Sequence, residues 1–372
     1  MIARESVDVV APEGAPGLQL SICIATRNRA SALAKTLADI TAQATRECEI
    51  VVIDGGSTDG TEELLERHAE RHGNLRYLRE SAPNGYERDF DRAMDHARGR
   101  YCWLMPDDDA LAPDAIPRVL EALRGERYSL VLVNFSIMDA TRATIVRERV
   151  AELTEDRAYG PDDLDRLFRD TAKQVMYVGS IVIQRSLWRE RERERYHGSL
   201  HTHLAVVFQK ALPAPALVIA APLICHHMGN DHSWTSRVRE MIFRWPSLVS
   251  SLAVSESAKR ELIDWETPTL LRTALRIRAL DFLSPADFRR WRDPYGRRIR
   301  GKAIAIGVSM IPGWLANLGC LLYYSVKPRE LSSVILLRLR GSRFYVRNWP
   351  LIIACMPPRV RSSTFRLRWP LA

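Results

Sequence analysis

Hydrophobic positions alternate between two periods along the first third of the chain. Leu18, Leu20, Ile22 and Ile24 fall on one face with period two, and Leu33, Leu37 and Ile40 follow at helical spacing. The run EIVVID (Glu49–Asp54) is continuously apolar up to its last residue, the pattern of a strand buried on both faces. GGSTDGTEELLERH then turns into a helix, with Asp59 and Glu62 at the spacing of a capping box. LRYLRE (Leu75–Glu80) predicts a third strand, and RDFDRAMDHARG a helix that stops at Gly99. YCWLM (Tyr101–Met105) and YSLVLVNF (Tyr128–Phe135) predict a fourth and a fifth strand. Strands separated by helices predict an α/β fold with a mostly parallel sheet flanked by helices.

In such sheets a ligand sits in the crevice beyond the carboxyl ends of the strands. Asp54 and the run Asp107–Asp109 both fall at predicted strand ends, so the fold alone brings these acids towards one crevice. Three adjacent carboxylates repel one another and need a compensating charge. Oxygen ligands of this kind suit Mg2+ or Mn2+ rather than zinc, and such ions commonly bridge to substrate phosphates. A nucleoside diphosphate is the natural ligand of that arrangement, its charge neutralised by the metal as it leaves. The plainer alternative is a solvated turn with a helix cap. No GxxxxGK[ST] loop occurs, and no GxGxxG follows the first strand, which argues against P-loop phosphate transfer and dinucleotide oxidoreduction.

Three ordered blocks carry a resemblance: LSICIATRNRASALAKTLADI, EIVVIDGGSTDGT and NGYERDFDRAMDHARGRYCWLMPDDD. Together they resemble the family 2 glycosyltransferases of the GT-A (Rossmann-like) fold, and the last block resembles the abequosyltransferase-like branch, which builds bacterial surface polysaccharides. The likeness is good from about Leu18 to Phe135 and fainter to about Leu223. It departs from the family pattern where Arg27 stands for a frequent Tyr and Gly55 for a second acid. The resemblance implies that Asp54 accepts a hydrogen bond from the nucleobase or its surroundings. It also implies that Thr26, Arg27 and Arg29 line the nucleotide cleft, and that Asp108 approaches the ribose or the metal. Asp109 would bind the metal directly, Asp107 would belong to the donor nucleotide-sugar site, and Arg88 and Asp89 would lie near the sugar or diphosphate. It implies an inverting, metal-dependent transferase, a nucleotide-diphosphate sugar donor and a lipid-linked glycan acceptor of the O-antigen kind.

Transfer to a hydroxyl also needs a proton acceptor. The Glu-Asp pair that many family members carry is absent from YHGSLHTHLAVVFQKAL (Tyr196–Leu212), where His201 and His203 precede an apolar helical run. Base, metal ligand and helix cap are all open for His203. The base role is preferred, with Asp231 in CHHMGNDHSW as the alternative.

Composition changes the picture towards the carboxyl end. The formal charge is +9, which suits nucleic acid, an anionic membrane surface or phosphorylated substrates. The six cysteines show no CxxC pairing and read as reduced core residues. No secretory signal pattern opens the chain. FRRWRDPYGRRIRGK is strongly basic and precedes Ala303–Val326, which carries no charge. That stretch is long enough to span a bilayer, but its Gly, Pro and Asn content and its aromatic residues favour lying in the interface; a buried helical hairpin is the third reading. The expected organisation is a tail over 1–17, a transferase domain over 18–225 and a helical, basic, membrane-associating region over 226–372. The expected location is the cytoplasmic face of the bacterial inner membrane, peripheral or monotopic. A nucleic-acid-binding protein without transferase activity is the alternative; no nucleic acid partner is expected on the main reading.

Overall fold

A computed structural model describes residues 17–125, 127–138, 144–227, 245, 247–262, 267–281, 283–284, 299–326 and 332–347. They form two compact units, residues 17–227 with 245–262, and residues 267–347.

The first unit is built on a ten-stranded sheet. Its leading strands are β1 (Leu20–Thr26), β2 (Cys48–Asp54), β3 (Leu75–Arg79), β4 (Tyr101–Met105) and the short β5 (Ala110–Leu111). β6 (Leu130–Met138), β7 (Ile145–Arg147), β8 (Arg157–Tyr159), β9 (Ile181–Gln184) and β10 (Ala216–His227) follow. The main order is β3-β2-β1-β4-β9-β6-β10-β5, with β7 on β6 and β8 on β10. β3, β2, β1 and β4 are parallel to one another. β9 is antiparallel to both β4 and β6, and β10 is parallel to β6. β1, β2, β3, β4, β6 and β10 therefore all run the same way, and their carboxyl ends open on one side.

The helices are α1 (Ala30–Gln43), α2 (Thr61–Arg71), α3 (Tyr86–His96), α4 (Ala115–Leu123), α5 (Leu164–Val175), α6 (Arg185–Glu190), α7 (Thr202–Phe208) and α8 (Glu256–Leu262). The periodicities place the core as read. Leu20, Ile22 and Ile24 of β1 join Leu33, Leu37 and Ile40 of α1 in one cluster, all without solvent exposure. Each such side chain contributes roughly 1.5–3 kcal/mol on burial. Every residue of β2 is buried, as a strand covered on both faces must be.

The start of α2 differs from the expected capping box. Gly60 is the N-cap, and Asp59, one residue earlier, accepts hydrogen bonds from the Thr61 amide and hydroxyl and, at 3.1 Å, from the Ala30 amide. Asp59 thus ties α2 to the start of α1, and Glu62 is left to pair with Arg79. Gly99 is required by close packing: a Cβ there would lie 2.7 Å from the Ser21 amide nitrogen of β1.

The second unit holds α9 (Thr267–Ala279), α10 (Ile299–Met310), α11 (Gly313–Val326) and α12 (Ser332–Gly341). Ala279, Ala316, Leu321, Leu336 and Leu339 form its core. The uncharged stretch Ala303–Val326 is not one helix. Pro312 breaks it, because a proline disfavours helical backbone in the residue before it. Among the described residues no helix is long and apolar enough to cross a membrane. The basic block 289–298 and the tail beyond 347 lie outside the described residues, as do residues 1–16.

Candidate active site

The carboxyl ends of β1, β2, β4 and β10 deliver Thr26, Asp54, Asp107–Asp109 and His226–His227 to one side of the sheet. Two loops are first stitched together there. The Asn28 amide donates to Ser57 Oγ at 2.8 Å, and Asn28 Oδ1 accepts from the Thr58 amide at 2.7 Å. Asn28 has φ 54°, the left-handed region that Asn tolerates better than most residues. The Gly55 amide donates to the Thr26 carbonyl at 2.9 Å.

Asp54 is fully buried. Its Oδ1 accepts from the Ser57 amide at 2.9 Å and from the Ser57 hydroxyl. Its Oδ2 takes no hydrogen bond among the described residues, and Arg79 Nε stands 3.6 Å away. A buried carboxylate oxygen without a donor is costly and is an acceptor position for a ligand. Asp89, at the start of α3, reaches the same place: a Cβ on Gly55 would lie 2.9 Å from its Oδ2. Gly55, the first glycine of EIVVIDGGSTDGT, stands where the family often has an acid, and its lack of a side chain leaves room for the end of the Asp89 side chain. Arg88, by contrast, is exposed, and so is Arg27, the residue after β1.

The three consecutive aspartates do three different things. Asp107 is buried, accepts from Thr26 Oγ1 at 2.7 Å, and lies 3.4 Å from Arg29 Nε. Burial pushes its carboxyl up to about 7; Arg29 opposes that shift and the neighbouring carboxylates add to it. Asp108 is the least enclosed of the three and pairs with Arg29 Nη2. Asp109 has no side-chain exposure and is surrounded by donors. Tyr177 Oη donates to Oδ2 at 2.6 Å, the His227 amide donates to Oδ1 at 2.8 Å, and His226 Nδ1 lies 3.2 Å from both oxygens. Burial raises the Asp109 carboxyl, but His226, Tyr177 and the His227 amide more than offset it and hold it below the usual carboxylate range. His227 Nδ1 reaches the Asp108 carbonyl at 3.0 Å. The rings of Phe135, Tyr177 and His226 pack in sequence at tilted angles of 45° and 46°, with centroids 4.3 and 4.7 Å apart.

His203 and His201 lie elsewhere. Both are buried, His201 as the N-cap of α7 and His203 in its first turn. His203 Nε2 donates to the Met176 carbonyl at 3.3 Å, and the His201 ring stands edge-on to His203 and to Trp245. Burial drives His201 down to about 3 and His203 to about 4. Asp231 lies outside the described residues.

Oxygen ligands dominate the crevice, and His226 adds one imidazole. Of the three carboxylates at 107–109, Asp107 and Asp108 pair with the Arg29 guanidinium, and the Asp107 carboxyl is raised chiefly by burial, with the neighbouring carboxylates adding to it. Carboxylate oxygens of this kind are ligands for a hard divalent cation, and Asp109, with Asp108 beside it, is the residue that could hold one. Among the described residues no group of three His, Cys, Asp or Glu side chains is placed to hold a metal ion by itself. An ion held by one or two carboxylates and completed by substrate phosphates needs no such group.

The match to known proteins falls on this arrangement. Residues 21–191 match the model of Glycosyl transferase family 2. They are a family 2 glycosyltransferase domain. The domain carries the GT-A fold, and the protein is a glycosyltransferase. Abequosyltransferase RfbV of Salmonella typhimurium is 26% identical over 225 residues, covering 57% of this chain and 67% of that protein. A Campylobacter jejuni GalNAc(5)-diNAcBac-PP-undecaprenol beta-1,3-glucosyltransferase is 26% identical over 117 residues, 31% of this chain and 38% of that protein. Among solved structures, S. aureus TarS 1–349 superposes with a TM-score of 0.53 at 13% identity, covering 87% of this chain and 89% of that one. The same protein in complex with UDP-GlcNAc gives 0.52. These likenesses to TarS show the fold.

The sequence did not single out Tyr177, His226 or His227 as partners of Asp109. The apolar run Ala216–Ile224 is the signal for β10, the strand that carries the two histidines.

Proposed function

We propose that this glycosyltransferase moves a sugar from a nucleoside-diphosphate donor to a hydroxyl of a lipid-linked or polysaccharide acceptor in bacterial surface-glycan synthesis, with inversion at the anomeric carbon. The acceptor oxygen bonds to the anomeric carbon as the bond to the diphosphate oxygen breaks, and the hydroxyl proton passes to a base. The observation that carries the reading is the convergence of Asp54, Asp89, Asp107–Asp109 and His226 at the carboxyl ends of co-directional strands in a family 2 domain. The relatives acting on surface glycans and on an undecaprenol-linked substrate support the acceptor class.

On this reading the Asp54 carboxylate accepts a hydrogen bond from the nucleobase, with Thr26, Arg27 and Arg29 along the cleft. Asp89 approaches the sugar or diphosphate. Mg2+ or Mn2+, when bound, supplies neutralisation of the departing diphosphate. Tyr177 and the His227 amide orient the Asp109 carboxylate for that ion. His203 is buried with Nε2 donating to a carbonyl, which supports a packing role for it rather than that of a base, and leaves Asp231 as the acid to test. Access to a lipid-linked acceptor calls for the cytoplasmic membrane face, where nucleotide sugars are available. No observation favours the nucleic-acid-binding alternative.

The test is a donor screen by released nucleoside diphosphate, with Mn2+, Mg2+ or EDTA, and NMR of the product's anomeric configuration. Release from one donor that stops in EDTA, with an inverted product, is the expected result. Release from none, or full activity in EDTA, overturns the donor or the metal assignment respectively.

A further inference from the structure

The charge of the chain is unevenly distributed. Residues 263–372 hold twenty Lys and Arg against six Asp and Glu, a net of +14, so the remaining 262 residues carry a net of −5. The basic character belongs wholly to the region that follows the transferase unit. Within it, the uncharged stretch 303–326 is bracketed by Arg297, Arg298, Arg300 and Lys302 on one side and by Lys327 and Arg329 on the other.

The two helices of that stretch have inverted polarity. Ile306 is 50% exposed, Met310 70%, Trp314 55% and Leu315 47%. Pro312 is exposed with them, and the other exposed positions of the stretch are Ala or Gly. The polar residues face inward instead: Ser309 Oγ donates to the Ile306 carbonyl at 2.7 Å. Asn317, with no exposure, donates through Nδ2 to the carbonyls of Ala279 at 3.1 Å and Leu339 at 3.0 Å. Hydration would favour the opposite arrangement. The large apolar side chains gather at one place, the last two turns of α10 and the first turn of α11.

α10 and α11 have 12 and 14 residues, so each is roughly 18–21 Å long, well short of a hydrocarbon core of about 30 Å. Exposed apolar residues at a turn between two short helices reach into one leaflet and return. Flanking basic residues meet anionic headgroups, each nearby Lys or Arg adding to the attraction. Stable attachment takes two such signals, apolar insertion and charge, and this segment has both.

We propose that the α10–α11 turn is a monotopic anchor that inserts Met310, Trp314 and Leu315 into one leaflet of an anionic phospholipid bilayer. The proposal deepens the reading of a lipid-linked acceptor, because it identifies the element that brings the enzyme to that lipid. Its test needs neither donor nor acceptor, so its failure is distinguishable from failure of that reading.

The full chain is mixed with vesicles of phosphatidylcholine, with or without phosphatidylglycerol, whose acyl chains carry bromine. Binding to the anionic vesicles, partial release by high salt, and bromine quenching that falls in Trp314→Phe are expected. The triple variant Met310→Gln/Trp314→Gln/Leu315→Gln changes only exposed side chains and should weaken partitioning on the order of 100-fold while nucleoside-diphosphate release is unchanged. Equal partitioning of variant and wild type, unaltered quenching in Trp314→Phe, or no binding to anionic vesicles at low salt overturns the proposal. So does a stable wild-type dimer that the triple variant dissolves, since a second copy would then be what covers the surface. Full retention in carbonate together with protection of only one end from external protease would replace the anchor with a span.

Discussion

Lowering the pH separates a buried histidine from a catalytic one. His201 and His203 sit at about 3 and about 4 in the folded protein, against 6.5 in the unfolded chain, because burial penalises the imidazolium. Their folded pKa values are depressed, so between pH 6.5 and 4 the unfolded chain binds the extra protons and stability falls as pH falls. Between about pH 7.5 and about pH 5 each ring contributes about 2 kcal/mol of loss, or about 4 kcal/mol for the pair. Asp107 works in the opposite direction: its carboxyl, raised to about 7, takes up a proton in the folded state and gains stability on acidification. The raw pH profile therefore mixes signs, and the informative quantity is the difference between wild type and His201→Phe/His203→Gln. Phe keeps an aromatic edge on Trp245, and Gln keeps a donor for the Met176 carbonyl. Urea midpoints read by hydrogen exchange in β4 report on this unit by itself. Acidification should cost the wild type about 4 kcal/mol more than the double variant. An equal cost in both would refute the argument that burial holds these rings neutral. The single variant His203→Gln should keep turnover near pH 7.5 within about threefold. A loss on the order of 100-fold with donor binding intact would return His203 to the role of base.

Asp109→Ala should lower transfer and donor hydrolysis on the order of 10³-fold, because Tyr177 and His226 lose the carboxylate they orient; a fully active variant that also ignores EDTA refutes this. Arg29→Gln removes the cation beside Asp107 and Asp108. It should tighten Mn2+ binding in the absence of donor by about tenfold while weakening donor binding; looser Mn2+ binding, read by paramagnetic relaxation, would contradict the charge argument. Gly55→Ala displaces only the far end of the Asp89 side chain, so stability should change by less than about 1 kcal/mol. Donor KM should nonetheless rise about tenfold or more; an unchanged KM would remove Asp89 from the donor site.

The five strands readable from periodicity, β1–β4 and β6, are those whose side chains alternate or run continuously apolar between clear turn signals. Their carboxyl ends carry Asp54 and Asp107–Asp109, which is why the acidic half of the crevice was legible. β9 was not, because four residues without alternation give no period, and its antiparallel insertion between β4 and β6 is a long-range pairing that local patterning does not encode. β10 is interrupted by register shifts around Pro222, which disguise a long strand as an apolar loop. Local patterning therefore gives His226 and His227 no place in the fold. The histidines of HTHL gave the opposite error: His201 and His203 look chemical in sequence, but an i, i+2 pair at the start of an apolar helix is buried with it. The same holds for Ala303–Val326, where charge counting shows a segment long enough to span and only the break at Pro312 shows two helices.

The order of the acidic run has a physical logic that its composition conceals. A strand end followed by a proline sends successive side chains in different directions, so three adjacent carboxylates do not share one environment. Asp107 turns back to Thr26 and Arg29 and closes the β1 end of the crevice. Asp109 turns towards β10 and is held ionised by Tyr177, His226 and the His227 amide. Asp108, between them, keeps the most solvent contact and shares Arg29 with Asp107. Repulsion among three charges is thus divided between a guanidinium on one side and an imidazole on the other. On the proposed function, Asp109, already ionised and oriented, would offer a carboxylate to a divalent cation, and Arg29 could turn from Asp108 to the donor phosphates. Arg29 would then couple donor binding to metal binding, which is why its replacement should move the two affinities in opposite directions.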